Sequence, residues 1–220
     1  MTTALVTGAN RGIGLEFCRQ LRARGDSVIA VCRNASKELD ALDVQIIDNV
    51  DVTDVSSMAT LANDLMGSQI DILICNAGIM LNESIGDMDF DSIREQFEVN
   101  ALGTLHTVTA LLPLLADPSR IALITSRMGS IGDNTSGGRY GYRMSKCALN
   151  MAGVSLSHDL KQRNISVAIL HPGHVQTDMT DHHGNITAEE SVRGLLQRID
   201  ELNADNSGTF WHSNGETLPW

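Results

Sequence analysis

A chain of 220 residues with a hydrophobic fraction of 42% can bury one sizeable core, is short for two full domains, and is too apolar for wholesale disorder. A formal charge of −11 argues against a nucleic-acid or anionic-membrane surface, while leaving room for a local basic pocket that grips phosphate. Aromatic residues supply only 4%, so aliphatic side chains must fill the interior.

Cys18, Cys32, Cys75 and Cys147 show no CxxC spacing, and three of them fall in apolar segments. Buried free thiols in a reducing compartment follow as the expectation. The amino terminus shows no basic, cleavable leader, and the most apolar later stretch, Val108 to Ala116, is too short for a bilayer and contains Pro113. The expected location is the cytoplasm, with no membrane partner.

Ala4-Leu5-Val6 reads as a buried strand, followed by a glycine turn from Gly8 to Gly14 and a helix to about Arg24 that Gly25 ends. Ser27 to Cys32 is a second apolar strand, Ser36 to Leu42 a brief helix, and Val44 to Val50 a third strand. A helix over about Val55 to Met66 leads to a fourth strand, Ile70 to Cys75, cut off by Asn76-Ala77-Gly78. A long helix is predicted from Phe90 to Leu115 in two consecutive pieces, then strands at Arg120–Thr125 and Ser166–Leu170 with a helix over Tyr142–Leu160 between them. Thr187 and Glu190 form a capping box for a further helix, and Ser207 to Trp211 is a last strand before a turn at Asn214-Gly215. Apolar strands alternating with helices, without polar-outward alternation, predict a parallel sheet covered on both faces: one doubly wound α/β domain over residues 1–220.

Thr7-Gly8-Ala9-Asn10-Arg11-Gly12-Ile13-Gly14 spaces its glycines as GxxxGxG between that first strand and its helix. Glycines there let the backbone approach a pyrophosphate, and the helix amides meet its charge, so the segment predicts a dinucleotide site. The second strand ends in Cys32-Arg33 with no acid to bind a free ribose 2′-hydroxyl. Arg33, with Arg11 approaching the same corner, points to the 2′-phosphate of NADP(H), against solvated surface arginines as the alternative. Asp51-Val52 follows the third strand, where Asp51 could accept the adenine amino group or simply cap a loop. Asn76 is expected to cross-link neighbouring loops, with cofactor contact through the Asn76-Ala77-Gly78 backbone.

Tyr142 and Lys146 stand four residues apart, which puts an ammonium beside a phenol on one helical face. Such an ammonium stabilises tyrosinate and draws the phenol's useful range downward, toward acid–base work at a carbonyl. Tyr140 lacks that geometry. Ser126, just beyond the fifth strand, could orient a substrate oxygen, with Thr125 and Ser130 as competitors. Asn100 is either a tolerated polar-face residue or a local helix break that holds water beneath Lys146. His171, His174, His182 and His183 form no compact ligand set, so no metal is assigned, and His174 could border substrate.

These residues together resemble the classical short-chain dehydrogenase/reductase family. The resemblance runs from the glycine turn through Asn76-Ala77-Gly78, Asn100, Ser126 and Tyr142-Arg143-Met144-Ser145-Lys146 to Pro172-Gly173-His174-Val175-Gln176-Thr177. It implies a Rossmann-like sheet of about seven strands and a catalytic set of Asn100, Ser126, Tyr142 and Lys146. In that set Tyr142 is the acid, Ser126 the orienting group, Lys146 a ribose ligand and Asn100 part of a water-linked relay. It further implies Pro172, Gly173, Val175 and Thr177 beside the nicotinamide. The insertion from Gly129 to Arg139 and the carboxyl-terminal Leu218-Pro219-Trp220 are similar to the C-factor or sniffer-type carbonyl reductase branch, while the stretch from Thr177 to Thr187 is short where relatives place a lid. The implied activity is NADPH-dependent reduction of an aldehyde, ketone or quinone-like carbonyl by a homodimer or tetramer. The alternatives are a nucleotide-responsive regulatory protein and an epimerase or dehydratase on the same scaffold.

Overall fold

The computed structural model describes all residues, 1–220. Seven parallel strands form one sheet in the order β3-β2-β1-β4-β5-β6-β7. They are β1 (Thr3–Thr7), β2 (Ser27–Val31), β3 (Gln45–Ile47), β4 (Ile70–Cys75), β5 (Leu115–Ile124), β6 (Ile165–His171) and β7 (Phe210–His212). Between them run α1 (Gly12–Ala23), α2 (Lys37–Asp40), α3 (Val55–Asp64), α4 (Phe90–Phe97), α5 (Gly103–Leu111), α6 (Tyr140–Asp159) and α7 (Ala188–Glu201). No helix is long and apolar enough to cross a membrane.

The period-two geometry of a strand divides the apolar residues between two layers. Ala4, Val6, Ala30, Ile72, Ile74, Ala122 and Leu170 face α1 and α7, meeting Phe17, Leu21, Val192, Leu195 and Ile199. Leu5, Ile29, Val31, Leu73, Ile121, Leu123 and Val167 face α3, α5 and α6, meeting Met58, Leu61, Val108, Leu111 and Leu149. Both faces are therefore buried, which is why the strands carry no outward polar stripe. This is the doubly wound parallel sheet that the alternation of elements predicted, and the Rossmann-like architecture of about seven strands that the resemblance implied. At the start of α7 the expected capping box is present, Thr187 Oγ1 accepting from Glu190 N at 3.1 Å and Glu190 Oε2 from Thr187 N at 3.1 Å. Such a cap contributes about 1 kcal/mol.

Strands β3 and β7 are shorter than expected, Gln45–Ile47 against Val44 to Val50 and Phe210–His212 against Ser207 to Trp211, and three boundaries closer to the site also differ. The long helix ends at Leu111, and Leu115 already begins β5, five residues before the expected Arg120. The early part of that strand is irregular: Ile70 pairs with Leu115 and Ile72 with Arg120, and Pro118 lies in the bulge, where no ladder donor is asked of it. Helix α6 starts at Tyr140, so Tyr142 is its third residue rather than its first.

Connection order reverses between β1 and β4, and open α/β sheets bind ligands beyond the carboxyl ends at such a point. The glycine turn, Asn76, Ser126 and the exit of β6 all leave the sheet on that edge.

Candidate active site

A groove of about 430 Å³ lies over this edge. Of the residues singled out in the sequence, Gly8, Asn10, Arg11, Gly12, Ile13, Arg33, Asp51, Val52, Asn76, Ala77, Gly78 and Thr177 line it. Gly14, Pro172, Gly173 and Val175 lie outside its wall. Cys32, Asn34, Ile79, Glu95, Val99, Asp178 and Met179 also line it; sequence reasoning missed Cys32 because it reads as a buried strand residue and the others because each looks like ordinary loop or helix.

The floor is pinned by Asn76, whose Nδ2 donates to Thr7 O at 3.0 Å and Gly8 O at 3.2 Å. Thr7 Oγ1 in turn accepts from the amides of Asn76 and Ala77 at 3.1 and 3.2 Å. Gly14 sits directly beneath the turn: a Cβ there would lie 2.1 Å from Gly8 O and 2.6 Å from Asn76 Nδ2. Asp51 lines the groove and also caps its loop, its Oδ1 accepting from Thr53 N at 2.9 Å and Thr53 Oγ1 at 2.8 Å. Arg11 pairs with Asp178 at 3.5 Å, both side chains exposed. Arg33 faces the groove with no oxygen partner, and no carboxylate follows β2 directly. Backbone glycines for a pyrophosphate and a free guanidinium for a further phosphate fit a phosphorylated dinucleotide.

The chemical residues gather beside the groove. The helix between α4 and α5 is broken by a π-turn over Glu98–Leu102 that carries buried Asn100. Asn100 Oδ1 accepts from Ile79 N at 2.8 Å, and its Nδ2 donates to Ile79 O at 2.9 Å and Ser145 Oγ at 3.0 Å. The burial of Asn100 rules out a polar-face residue, and the irregular turn that the other reading requires is present. Ser126 follows β5, its Oγ accepting from Met128 N at 3.1 Å, and its hydroxyl interacts with Tyr142. Of the competitors, Thr125 Oγ1 donates to Asn150 Oδ1 at 2.7 Å and Ser130 Oγ accepts from Asp133 N at 3.0 Å, and of the three hydroxyls it is that of Ser126 that acts on the Tyr142 phenol. Tyr142 is buried, whereas Tyr140 is only half-buried. Lys146 is 4% exposed; its Nζ donates to Ile124 O at 2.9 Å and lies 5.8 Å from the Tyr142 ring centroid. A Cβ on Gly78 would be 3.4 Å from that Nζ, so the missing side chain is what lets lysine and groove wall approach.

One electrostatic expectation is corrected. Burial raises the Tyr142 phenol above its ordinary range, opposed by the Ser126 hydroxyl and the charge of Arg139. Lys146 does not draw it down here, because the ammonium is turned to Ile124 O and is itself lowered to about 8 by burial. Below that value both folded and unfolded states hold the lysine proton, and the folded state bears the full desolvation cost. Between about 8 and 10.5 the unfolded chain binds more protons, so stability rises with pH as the cost disappears. Lys146→Met is therefore expected to stabilise the cofactor-free protein near neutrality by up to about 3 kcal/mol, less the lost bond to Ile124, and the advantage should shrink toward pH 10. Urea unfolding at both pH values checks this; an advantage that does not change with pH contradicts it.

Glu83 carried no sequence signal, lying in a polar stretch that reads as loop. Its buried carboxylate accepts from Ser92 Oγ, Gln96 Nε2 and the Gly141 amide, the last at 3.1 Å, and so fixes the first turn of α6, where Tyr142 stands. No three His, Cys, Asp or Glu side chains come together as a metal site. His171 is held neutral, its pKa pushed down to about 3 chiefly by burial, His182 pairs with Asp178 at 3.2 Å, and His174 is exposed.

Comparison with known proteins agrees with this architecture. A profile described as short chain dehydrogenase matches residues 2–187. The 1-hydroxy-2-glutathionyl-2-methyl-3-butene dehydrogenase of Rhodococcus sp. (strain AD45) is 44% identical over 226 residues, covering 100% of both chains. The NADPH-bound carbonyl reductase from chicken fatty liver superposes with a TM-score of 0.91 at 32% identity, covering 100% of this chain and 99% of that one. The carbonyl reductase Sniffer of D. melanogaster gives a TM-score of 0.92 at 29% identity over 100% of both chains. Fold, glycine turn and full-length identity together make this chain a member of the short-chain dehydrogenase family, related to its carbonyl reductase and Sniffer branch.

Proposed function

We propose that the protein reduces aldehydes, ketones or quinone-like carbonyls with NADPH, with alcohol oxidation as the reverse reaction. The observation that carries this reading is Lys146 directly behind the Gly78 wall of a phosphate-ready groove, with Tyr142 beside Lys146 and Ser126 beside Tyr142. Gly8 to Ile13 would hold the pyrophosphate with Gly14 beneath them, Arg33 and Arg11 the 2′-phosphate, and Asp51 and Val52 the adenine. Asn76, Ala77 and Gly78 would line the ribose side, with Pro172, Gly173, Val175, Thr177 and Lys146 at the nicotinamide end. When bound, NADPH would supply the hydride.

The remaining chemistry belongs to the chain. Ser126 donates a hydrogen bond to the carbonyl oxygen and holds it toward Tyr142. Tyr142 delivers the proton as charge develops on that oxygen. With a ligand to face, Lys146 leaves Ile124 O, and its ammonium then stabilises the tyrosinate left behind. Asn100 keeps the helix broken beside Lys146, which opens a route for water to return the proton. A homodimer or tetramer belongs to the same reading.

Parallel turnover assays over a carbonyl panel with NADPH and NADH test the proposal. NADPH binding without turnover of any member would replace it with the nucleotide-responsive regulatory reading. Arg33→Ala is expected to weaken NADPH binding about ten- to a hundredfold while barely moving NADH, the range of one charge-assisted contact. Equal losses for both nucleotides, measured by fluorescence titration, would show that Arg33 does not bind the 2′-phosphate.

A further inference from the structure

Arg33 and Arg139 are the two arginines whose guanidinium groups have no oxygen partner. The others are ion-paired, or, as with Arg120 and Arg143, hydrogen-bonded to backbone carbonyls. Arg33 faces the phosphate corner of the groove. Arg139 stands at the opposite end of the site, on the residue before α6, three positions ahead of Tyr142, and its charge already acts on that phenol.

Arg139 Nη1 rests 3.6 Å from Met80 Sδ and 3.9 Å from Met128 Sδ, weak acceptors that leave the charge unneutralised. Its backbone is left-handed, with φ 51°, and its amide is pinned to Glu83 O at 2.8 Å. A non-glycine residue held there stores strain of order 1–2 kcal/mol, which such positions keep mainly at functional sites. The cation borders a cavity of about 720 Å³ whose lining is polar except for Met128, with Asn82, Ser84 and Ser136 among its walls. Arg143 donates to Gly137 O, Gly138 O and Ser136 Oγ and so braces the loop that forms one side. Two carboxylates also line the cavity. Glu83 is buried with its acceptors taken, and Asp87 is solvent-exposed, where its charge is screened.

We infer that the substrate of the reductase site carries a carboxylate a few bonds from its carbonyl, and that Arg139 binds this carboxylate while the carbonyl meets Tyr142. The inference rests on the reductase reading. Arg139 stands three residues ahead of Tyr142 at the mouth of α6, and 4-formylbenzoate, with its carboxylate and carbonyl at opposite ends of one ring, probes both at once.

The test compares kcat/KM for 4-formylbenzoate and its methyl ester, with NADPH, in the wild type, Arg139→Met and Arg139→Lys. The wild type should prefer the acid by about ten- to a hundredfold, the worth of a charge-assisted contact, and the preference should fall with salt. In Arg139→Met the acid-to-ester ratio should collapse toward one, with Arg139→Lys intermediate. A wild type indifferent to the charge, or a methionine variant that keeps the preference, overturns the inference. If neither probe turns over, calorimetric titration of the NADPH-loaded protein with benzoate separates the two claims. Binding weakened by Arg139→Met upholds the anion site and leaves the reductase reading to be decided by the carbonyl panel; absent or unchanged binding removes the anion site.

Discussion

Tyr142→Phe is expected to leave a folded protein that binds NADPH and reduces carbonyls about a hundred- to ten-thousandfold more slowly, the usual worth of a positioned general acid. The ring is buried in the first turn of α6, and phenylalanine fills the same volume, so packing and the groove floor are preserved. What disappears is the hydroxyl that meets Ser126 and would protonate the developing alkoxide. The loss should therefore fall on kcat, with nucleotide affinity nearly unchanged. Single-turnover kinetics and NADPH titration measure the two separately. A variant that kept kcat close to the wild-type value would mean that the proton comes from elsewhere, half-buried Tyr140 being the first residue to examine.

Gly14→Ala is expected to abolish nucleotide binding and to cost about 3 kcal/mol or more of stability, at the upper end of overpacking effects. The added methyl would stand 2.1 Å from a backbone carbonyl, that of Gly8, a group that cannot rotate away as a flexible side chain can. The turn must lift or α1 must shift, and either breaks the Asn76 bonds to Thr7 and Gly8 that level the groove floor. Gly14 does not itself border the groove, so the effect would travel through the backbone above it. Thermal unfolding and NADPH titration of the variant check both parts; a stable, nucleotide-binding alanine variant would show that the turn is more compliant than its contacts imply.

Much of the fold was legible because strand and helix periods survive in the sequence. Ile70–Cys75 was bounded correctly, since a run apolar but for Asp71 meets Asn76 and Gly78 there, and the capping box at Thr187 marked its helix start. Leu115 was misplaced because Leu111, Leu112, Leu114 and Leu115 are apolar on any period, and only pairing with Ile70 makes the last of them a strand residue. Of the site, residues in motifs with fixed spacing could be named: the glycine turn, Tyr142 and Lys146. Glu83, Ser145 and Arg139 could not, since their roles arise from contacts between segments far apart in sequence, or from a left-handed backbone that arginine does not announce. The direction of the tyrosine shift was misread for a related reason: four-residue spacing gives proximity, but it does not tell where a lysine points once a strand carbonyl competes for it.

The amide of Asn100 has only one workable orientation. Its oxygen faces an N–H of Ile79 while its nitrogen faces a carbonyl and the Ser145 hydroxyl, so a half-turn would set donor against donor and oxygen against oxygen. The segment after β4 and the helix bearing Tyr142 are thus held at one separation by a rigid polar spacer. A ligand pressing on the first should be felt by the second without any hinge between them.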